Sequence, residues 1–170
     1  EPHEEKLPHL ILREEQLIDS LGAGKFNGAP ARVMTIRPRV HPMTVAGFFD
    51  GGVFPPQGVW GGGPAYPNQA RLLKYESGEV IREVGLCDVF EMQPDEILEI
   101  KGEGGAGFGD PLERDPERVR RDVRAGIVSD GMARETYGVV LDLEPEQFAV
   151  DYEATKKLRE QKRKVSSSDV

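Results

Sequence analysis

Glycine limits what this chain can fold into. It supplies 20 of 170 residues, against an average near ~7%. Much of it is bunched in three stretches: residues 21–28 (LGAGKFNG), 51–63 (GGVFPPQGVWGGG) and 102–109 (GEGGAGFG). A segment without side chains adds nothing to an apolar core and turns freely, so no long regular element crosses these stretches. Their spacing has no three-residue period, which excludes a collagen helix. Tight turns and irregular loops between short elements remain. Apolar residues make up 38% and aromatic ones 7%, so a core forms but is modest for the length.

The regular elements fit between these loops. Residues 1–26 form an N-terminal arm and a glycine loop. Pro2 and Pro8 oppose a continuous helix there, and LPHLILREEQLI reads as a short strand or an arm docking on a partner. Residues 27–109 are β-rich: ARVMTIRPRV, MTVAGFF, ARLLKYE, EVIREVGL and DEILEIKG predict five to seven strands. Residues 71–84 predict a hairpin turning at Ser77 and Gly78. Residues 47–67 are too rich in Gly and Pro for regular structure and carry Phe54, Trp60 and Tyr66. A long aromatic loop of this kind is expected to be interfacial.

After Asp110 the period changes, and residues 110–164 predict a helical extension. Asp115 is an N-cap followed by Pro116, with Gly126 as the stop and Val119 and Val123 on one face. A second helix is capped by Ser129 and stopped by Gly138. GVVLD is strand-like. Asp151 caps a third helix whose end is basic, and residues 165–170 form a tail. The fold class expected is α+β: a β-rich sheet or partial barrel followed by short C-terminal helices.

Several function classes drop out on composition. The net charge of −8 and pI near 5.0 oppose a phosphate-backbone footprint, so no nucleic-acid partner is expected. No apolar run approaches the ~20 residues that span a bilayer, so no membrane partner is expected. Cys87 is the sole cysteine, which rules out an intramolecular disulfide and a cysteine zinc site. With no signal-peptide pattern at the start, the expectation is a cytoplasmic protein.

The sharpest chemical question concerns residues 102–109. They follow a predicted strand and precede a helix, where an anion can be held. Gly104, Gly105, Gly107, Gly109 and Asp110 are therefore the candidate ligand contacts. The details oppose a phosphate cradle. Asp110 and Pro111 stand where a P-loop needs Lys and Ser/Thr, the expected helix starts several residues beyond the glycines, and Glu103 and Asp110 repel phosphate. A shaped turn leading from sheet to helix is the favoured reading. His3, His9 and His41 lack metal-ligand spacing, and no calcium-loop pattern occurs. No catalytic residue and no metal ligand is assigned. Cys87 is expected to be a buried strand cysteine, and the charged run RVRRDVRAG a solvated, salt-bridged face.

Three segments, in order, resemble the hydantoinase B/oxoprolinase family. GFGDPLERDPERVRRDVRAGIVSDGMARETYGVVLD is similar to that family's C-terminal signature. DSLGAGKFNGAPA is similar to its D-S-G-G-x-G-x-x-R-G-G-x-G stretch, with Leu21, Asn27 and Ala29 in place of Gly, Arg and Gly. PPQGVWGGGPAYP is similar to its P-x-G-x-x-G-G-x-x-G loop. The resemblance implies the last portion of a longer B-type chain, with a hydantoinase A-like ATPase subunit and a larger hydantoinase B-like subunit as partners. ATP and a divalent metal would sit on those partners, none on this chain alone. The function implied is a small, mainly structural subunit of an acetone- or acetophenone-type ATP-dependent carboxylase, docking through Phe54, Trp60 and Tyr66. The alternatives are a component of an ATP-dependent hydantoinase/oxoprolinase-type cyclic-amide hydrolase, and a non-enzymatic binding module.

Overall fold

The computed structural model describes residues 5–48, 50–85, 87–144 and 148–166, so His3 lies outside the described residues. The fold is α+β, with strands leading and helices following. Seven strands come first: β1 (His9–Gln16), β2 (Arg32–Pro38), β3 (Met43–Phe48), β4 (Gln69–Lys74), β5 (Val80–Glu83), β6 (Cys87–Met92) and β7 (Glu96–Lys101). A 3-10 turn (Pro111–Glu113), α1 (Pro116–Arg124), α2 (Asp130–Glu135), two-residue strands β8 (Leu141–Asp142) and β9 (Ala149–Val150), and α3 (Tyr152–Ser166) complete it.

The chain divides into two compact units that interleave in sequence. The first takes Glu1–Leu17, Ala31–Pro56 and Tyr66–Gly104; the second takes Ile18–Pro30, Gln57–Ala65 and Gly105–Val170. The segments read off the sequence, 1–26, 27–109, 110–164 and 165–170, are instead consecutive. Each glycine-rich stretch contributes to the second unit, while the strands flanking them belong to the first.

In the first unit, β1-β2-β7-β4-β5 form one sheet in that order, every pairing antiparallel. Side chains alternate across the pleat, and two apolar rows run across the strands. Ile36, Leu98 and Leu72 lie opposite one another on β2, β7 and β4, and Met34, Ile100 and Ala70 form the next row. The intervening row is polar: Thr35, Glu99 and Arg71, with Arg71 3.5 Å from the Glu99 carboxylate. A one-residue slip would exchange the two kinds of row, so register follows from the pattern. β3 and β6 form a separate ribbon whose Met43, Val45, Phe90 and Met92 pack on the same core. Its other face carries Ala46, Phe48, Cys87 and Val89, all exposed. Cys87 is thus exposed, contrary to the expectation of a buried cysteine, because it pairs with Phe48 on the face turned from the core. The N-terminal segment is an edge strand, β1, paired to β2.

The second unit is built on its caps. Asp115 accepts from Glu117 N at the start of α1, Pro116 takes the first helical position, and Val119 is fully buried. Gly126 follows in the left-handed region (φ +71°), where glycine costs nothing. Ser129 Oγ accepts from Met132 N at the start of α2, and Asp151 Oδ1 accepts from Ala154 N at the start of α3. α3 runs through Ser166, two residues into the segment read as tail. The core comprises Leu21, Ala23, Val119, Val128, Ala133, Tyr137, Val139, Leu141 and Val150.

Leu98 sits at the centre of its row with 1% exposure. Leu98→Ala should lower the unfolding free energy by about 2–5 kcal/mol, read from urea unfolding followed by circular dichroism.

Candidate functional site

In the second unit the three glycine stretches meet backbone to backbone. Each donates to the next around a closed cycle: Gly22 N to Gly105 O (2.8 Å), Gly107 N to Gly63 O (2.9 Å) and Gly63 N to Ala23 O (2.7 Å). Val59 N donates to Gly107 O, Gly109 N to Val59 O, and Lys25 N to Gly109 O. Phe26 and Phe108 exchange both of their backbone hydrogen bonds. Residues 21–28, 58–63 and 105–109 thus form one interlocked backbone assembly.

Glycine is there because nothing else fits. A Cβ on Gly24 would lie 2.6 Å from Phe108 N, and one on Gly105 2.6 Å from Ala29 N. On Gly22, Gly28, Gly62 and Gly107 it would run into backbone atoms of the facing segment closer still. Backbone approach of this kind is a recurrent reason for glycine in extended segments. The candidate ligand contacts from the sequence now have places. The amides of Gly105, Gly107 and Gly109 donate to the carbonyls of Ala29, Gly63 and Val59, and in the first unit Gly104 N donates to Tyr66 O. Asp110 caps the 3-10 turn, its carboxylate accepting from Leu112 N at 2.8 Å. These groups hold the backbone together.

A buried polar knot fastens the interlocked segments to the helices. Asn27 Oδ1 accepts from Gly24 N (3.2 Å) and from the Tyr137 hydroxyl (2.9 Å). Asn27 Nδ2 donates to Asp122 Oδ2 (3.3 Å), which also accepts from Arg114 (2.8 Å). Arg114 donates further to Lys25 O, and its own carbonyl accepts from Arg159 at 2.7 Å. Arg114 is only 8% exposed; at that depth its charge needs the Asp122 carboxylate and the carbonyls around it. Burial pushes the Tyr137 phenol well above the usual tyrosine range.

Reading the sequence missed this knot. Asn27 stood out only as a departure from the family's arginine, and Asp122 was read as part of a solvated face. Tyr137 and Asn27 are 110 residues apart, and no local pattern links them. The one signal available was composition: Asn, Tyr and Arg beside glycine and caps, where smaller polar residues would have sufficed for a turn.

The aromatic loop separates into three environments. Phe54 is exposed in the first unit; Tyr66, also in that unit, is half-buried with its hydroxyl 3.4 Å from Gln69 Oε1. Trp60 is in the second unit, at a turn closed by Gly62 N donating to Val59 O, and its indole meets Phe108 edge-on at 4.9 Å. His9 begins β1 and His41 is exposed before β3. Among the described residues no group of three or more His, Cys, Asp or Glu is placed to hold a metal ion. Two grooves of about 480 Å³ each lie along α3, one lined by Leu112, Glu135, Leu158 and Val165, the other by Pro116, Tyr152, Arg159 and Arg163.

Comparison with known proteins bears on the same segments. The sequence model of the hydantoinase B/oxoprolinase family matches residues 1–111. The caprolactamase subunit beta of Pseudomonas jessenii is 38% identical over 138 residues, 79% of this chain and 24% of that one. The crystal structure of the ATP-dependent caprolactamase from Pseudomonas jessenii matches at TM-score 0.71 and 30% identity, over 92% of this chain and 27% of that one. The nucleotide-free structure of acetone carboxylase matches at TM-score 0.76 and 24% identity, over 98% of this chain and 26% of that one; this likeness is one of fold. The chain spans about a quarter of the length of these relatives.

Two glycines separate close backbone approach from mere flexibility. Gly107→Ala drives a Cβ into the Ala23 carbonyl and should cost more than about 3 kcal/mol. Gly131→Ala, in α2 with its nearest neighbour 3.6 Å away, should instead add about 0.4–1 kcal/mol. Urea unfolding of the two variants gives opposite signs if the interlock is real. Tyr137 gives a test in pH. Its folded pKa is raised, so its contribution is intact below the unfolded value of about 10 and is lost as pH climbs above it. Tyr137→Phe should cost about 0.5–1.5 kcal/mol at neutral pH and should flatten the alkaline decline in stability between about pH 10 and 12.

Proposed function

The chain belongs to the hydantoinase B/oxoprolinase family, and from that premise we propose that it is the scaffold portion of a B-type subunit in a cytoplasmic, ATP-dependent enzyme that opens a cyclic amide. One observation carries the scaffold role: the closed cycle of backbone hydrogen bonds through Gly22, Gly63, Gly105 and Gly107. Those amides are engaged by carbonyls, so the segment's contribution is to hold shape. The chemistry then belongs to the assembly. An ATPase-type partner transfers a phosphoryl group to the substrate, with ATP and a divalent metal held on that side, and ring opening is completed on the B-type side.

The sequence alone set an acetone-type carboxylase first. Similarity favours the lactam branch. The caprolactamase subunit matches 79% of the chain at 38% identity, and its solved relative matches at 30%. The acetone carboxylase structure matches at 24%, which speaks for the fold.

The test is affinity purification of the tagged chain from its own cells. We expect an ATPase-type and a larger B-type polypeptide in fixed ratio, and ATP hydrolysis that requires a lactam such as caprolactam, with one ring-opened amino acid released per ADP. A complex that instead fixes bicarbonate onto acetone moves the chain to the carboxylase branch. A lone chain with no ATPase partner overturns both and leaves the binding-module alternative.

A further inference from the structure

Each of the three interlocked segments contributes an aromatic side chain to one face of the second unit. Phe26 comes from the first, Trp60 from the second and Phe108 from the third. The Trp60 and Phe108 rings are 4.9 Å apart, edge to face, and Phe26 is 6.2 Å from Phe108. Val59 joins them through its backbone bridge to Phe108. Exposures are 50% for Phe26, 50% for Val59, 79% for Trp60 and 41% for Phe108. A single exposed apolar side chain is ordinary; four in one contiguous patch are not.

Nothing in the interlock asks for them. The positions facing inward are glycine because a Cβ would strike backbone. Ala23 packs in the core and Asn27 reaches into the polar knot, but Phe26, Trp60 and Phe108 turn outward, and polar residues at those three positions would serve the interlock equally well. Trp60 makes the point most strongly. Its φ of +52° is left-handed, followed by Gly61 at +91°. Such a turn ordinarily takes Asn, Asp or Gly, and for other L-residues the conformation costs roughly 1–2 kcal/mol. The chain thus holds a strained tryptophan whose indole is mostly in water and meets Phe108 by an edge. Strained backbone that local packing does not explain concentrates at functional positions, and tryptophan dominates binding hot spots.

We propose that this aromatic face is the docking surface for the rest of the B-type polypeptide, which receives the Trp60 indole in an apolar pocket. The inference rests on the functional reading above. Length identifies the occupant. The chain matches about a quarter of its caprolactamase relatives, so in such an assembly about three quarters of a B-type polypeptide lies beyond the matched part and is available to cover this face. Charge disfavours a second copy, since two chains of net charge −8 repel. The flanking Lys25 and Glu113 pair with each other at 3.1 Å, which leaves the face to apolar, short-range recognition.

Trp60 is the only tryptophan in the chain, so it reports on itself. The full chain is labelled with 5-fluorotryptophan and titrated with the B-type polypeptide isolated from the same cells. The expected result is a changed 19F shift and loss of its sensitivity to D2O as the indole leaves water. Trp60→Gly removes the ring and relaxes the turn, so its melting temperature should equal or exceed that of the wild type. Its affinity for the B-type polypeptide should nevertheless fall at least about tenfold by calorimetry. A 19F signal unmoved by binding, or undiminished affinity in Trp60→Gly, overturns the inference. So does burial of the indole by self-association or by the ATPase-type subunit alone, each of which names a different occupant. If Trp60→Gly assembles normally and the complex still opens a lactam with ATP, the docking inference fails while the functional reading stands. If no B-type polypeptide accompanies the wild-type chain, both fail.

Discussion

Backbone amides of three distant segments donate to one another in a cycle, and the second unit is organised around that fact. Gly22, Gly63 and Gly107 each donate to a carbonyl of a different segment. An isolated extended segment leaves its N–H and C=O groups to water, and burying them unpaired is costly. Here each segment satisfies its neighbour, so all three are committed together. The geometry tolerates no side chain at the closest approaches, which is why glycine recurs there, while Ala23 faces the core, Asn27 the polar knot, and Phe26, Trp60 and Phe108 turn outward.

Backbone pairing alone would leave the cycle weakly attached to the helices. The knot of Asn27, Tyr137, Asp122 and Arg114 makes that attachment specific. Asn27 is suited to it because one amide offers both an acceptor and donors: it closes its own loop through Gly24 N and reaches both Asp122 on α1 and Tyr137 just after α2. Arg114 ties the end of the 3-10 turn to Lys25 O, while Arg159 on α3 reaches the carbonyls of Tyr137 and Arg114. The helical part is therefore held by directional bonds to backbone as much as by its small apolar core. In a chain with 38% apolar residues, such bonds supply definition that packing alone would not.

This architecture separates shape from chemistry. The amides that could have cradled an anion instead hold backbone, and the side chains the interlock does not need are aromatic and exposed. On the proposed reading both features have a use: the interlock as a rigid mount, the aromatic face as its attachment. The strained turn at Trp60 is intelligible on the same terms, as a conformation selected for presenting one ring outward.

Much of the local structure was legible in the sequence because it depends on neighbours in the chain. Asp115 with Pro116, Ser129 before Met132, and Gly126 in the left-handed region are decided within a turn of helix. The α+β class and the family resemblance rested on such signals. The sheet order β1-β2-β7-β4-β5 was not legible, since antiparallel neighbours can be distant in sequence and the loops between them carry no record of the pairing. Nor was the meeting of residues 21–28, 58–63 and 105–109. Each stretch by itself reads as a flexible loop, because a glycine retained for close approach and a glycine retained for freedom are the same residue. Only the tertiary structure, by placing Ala23 O and Gly63 O beside Gly107, decides which of the two it is.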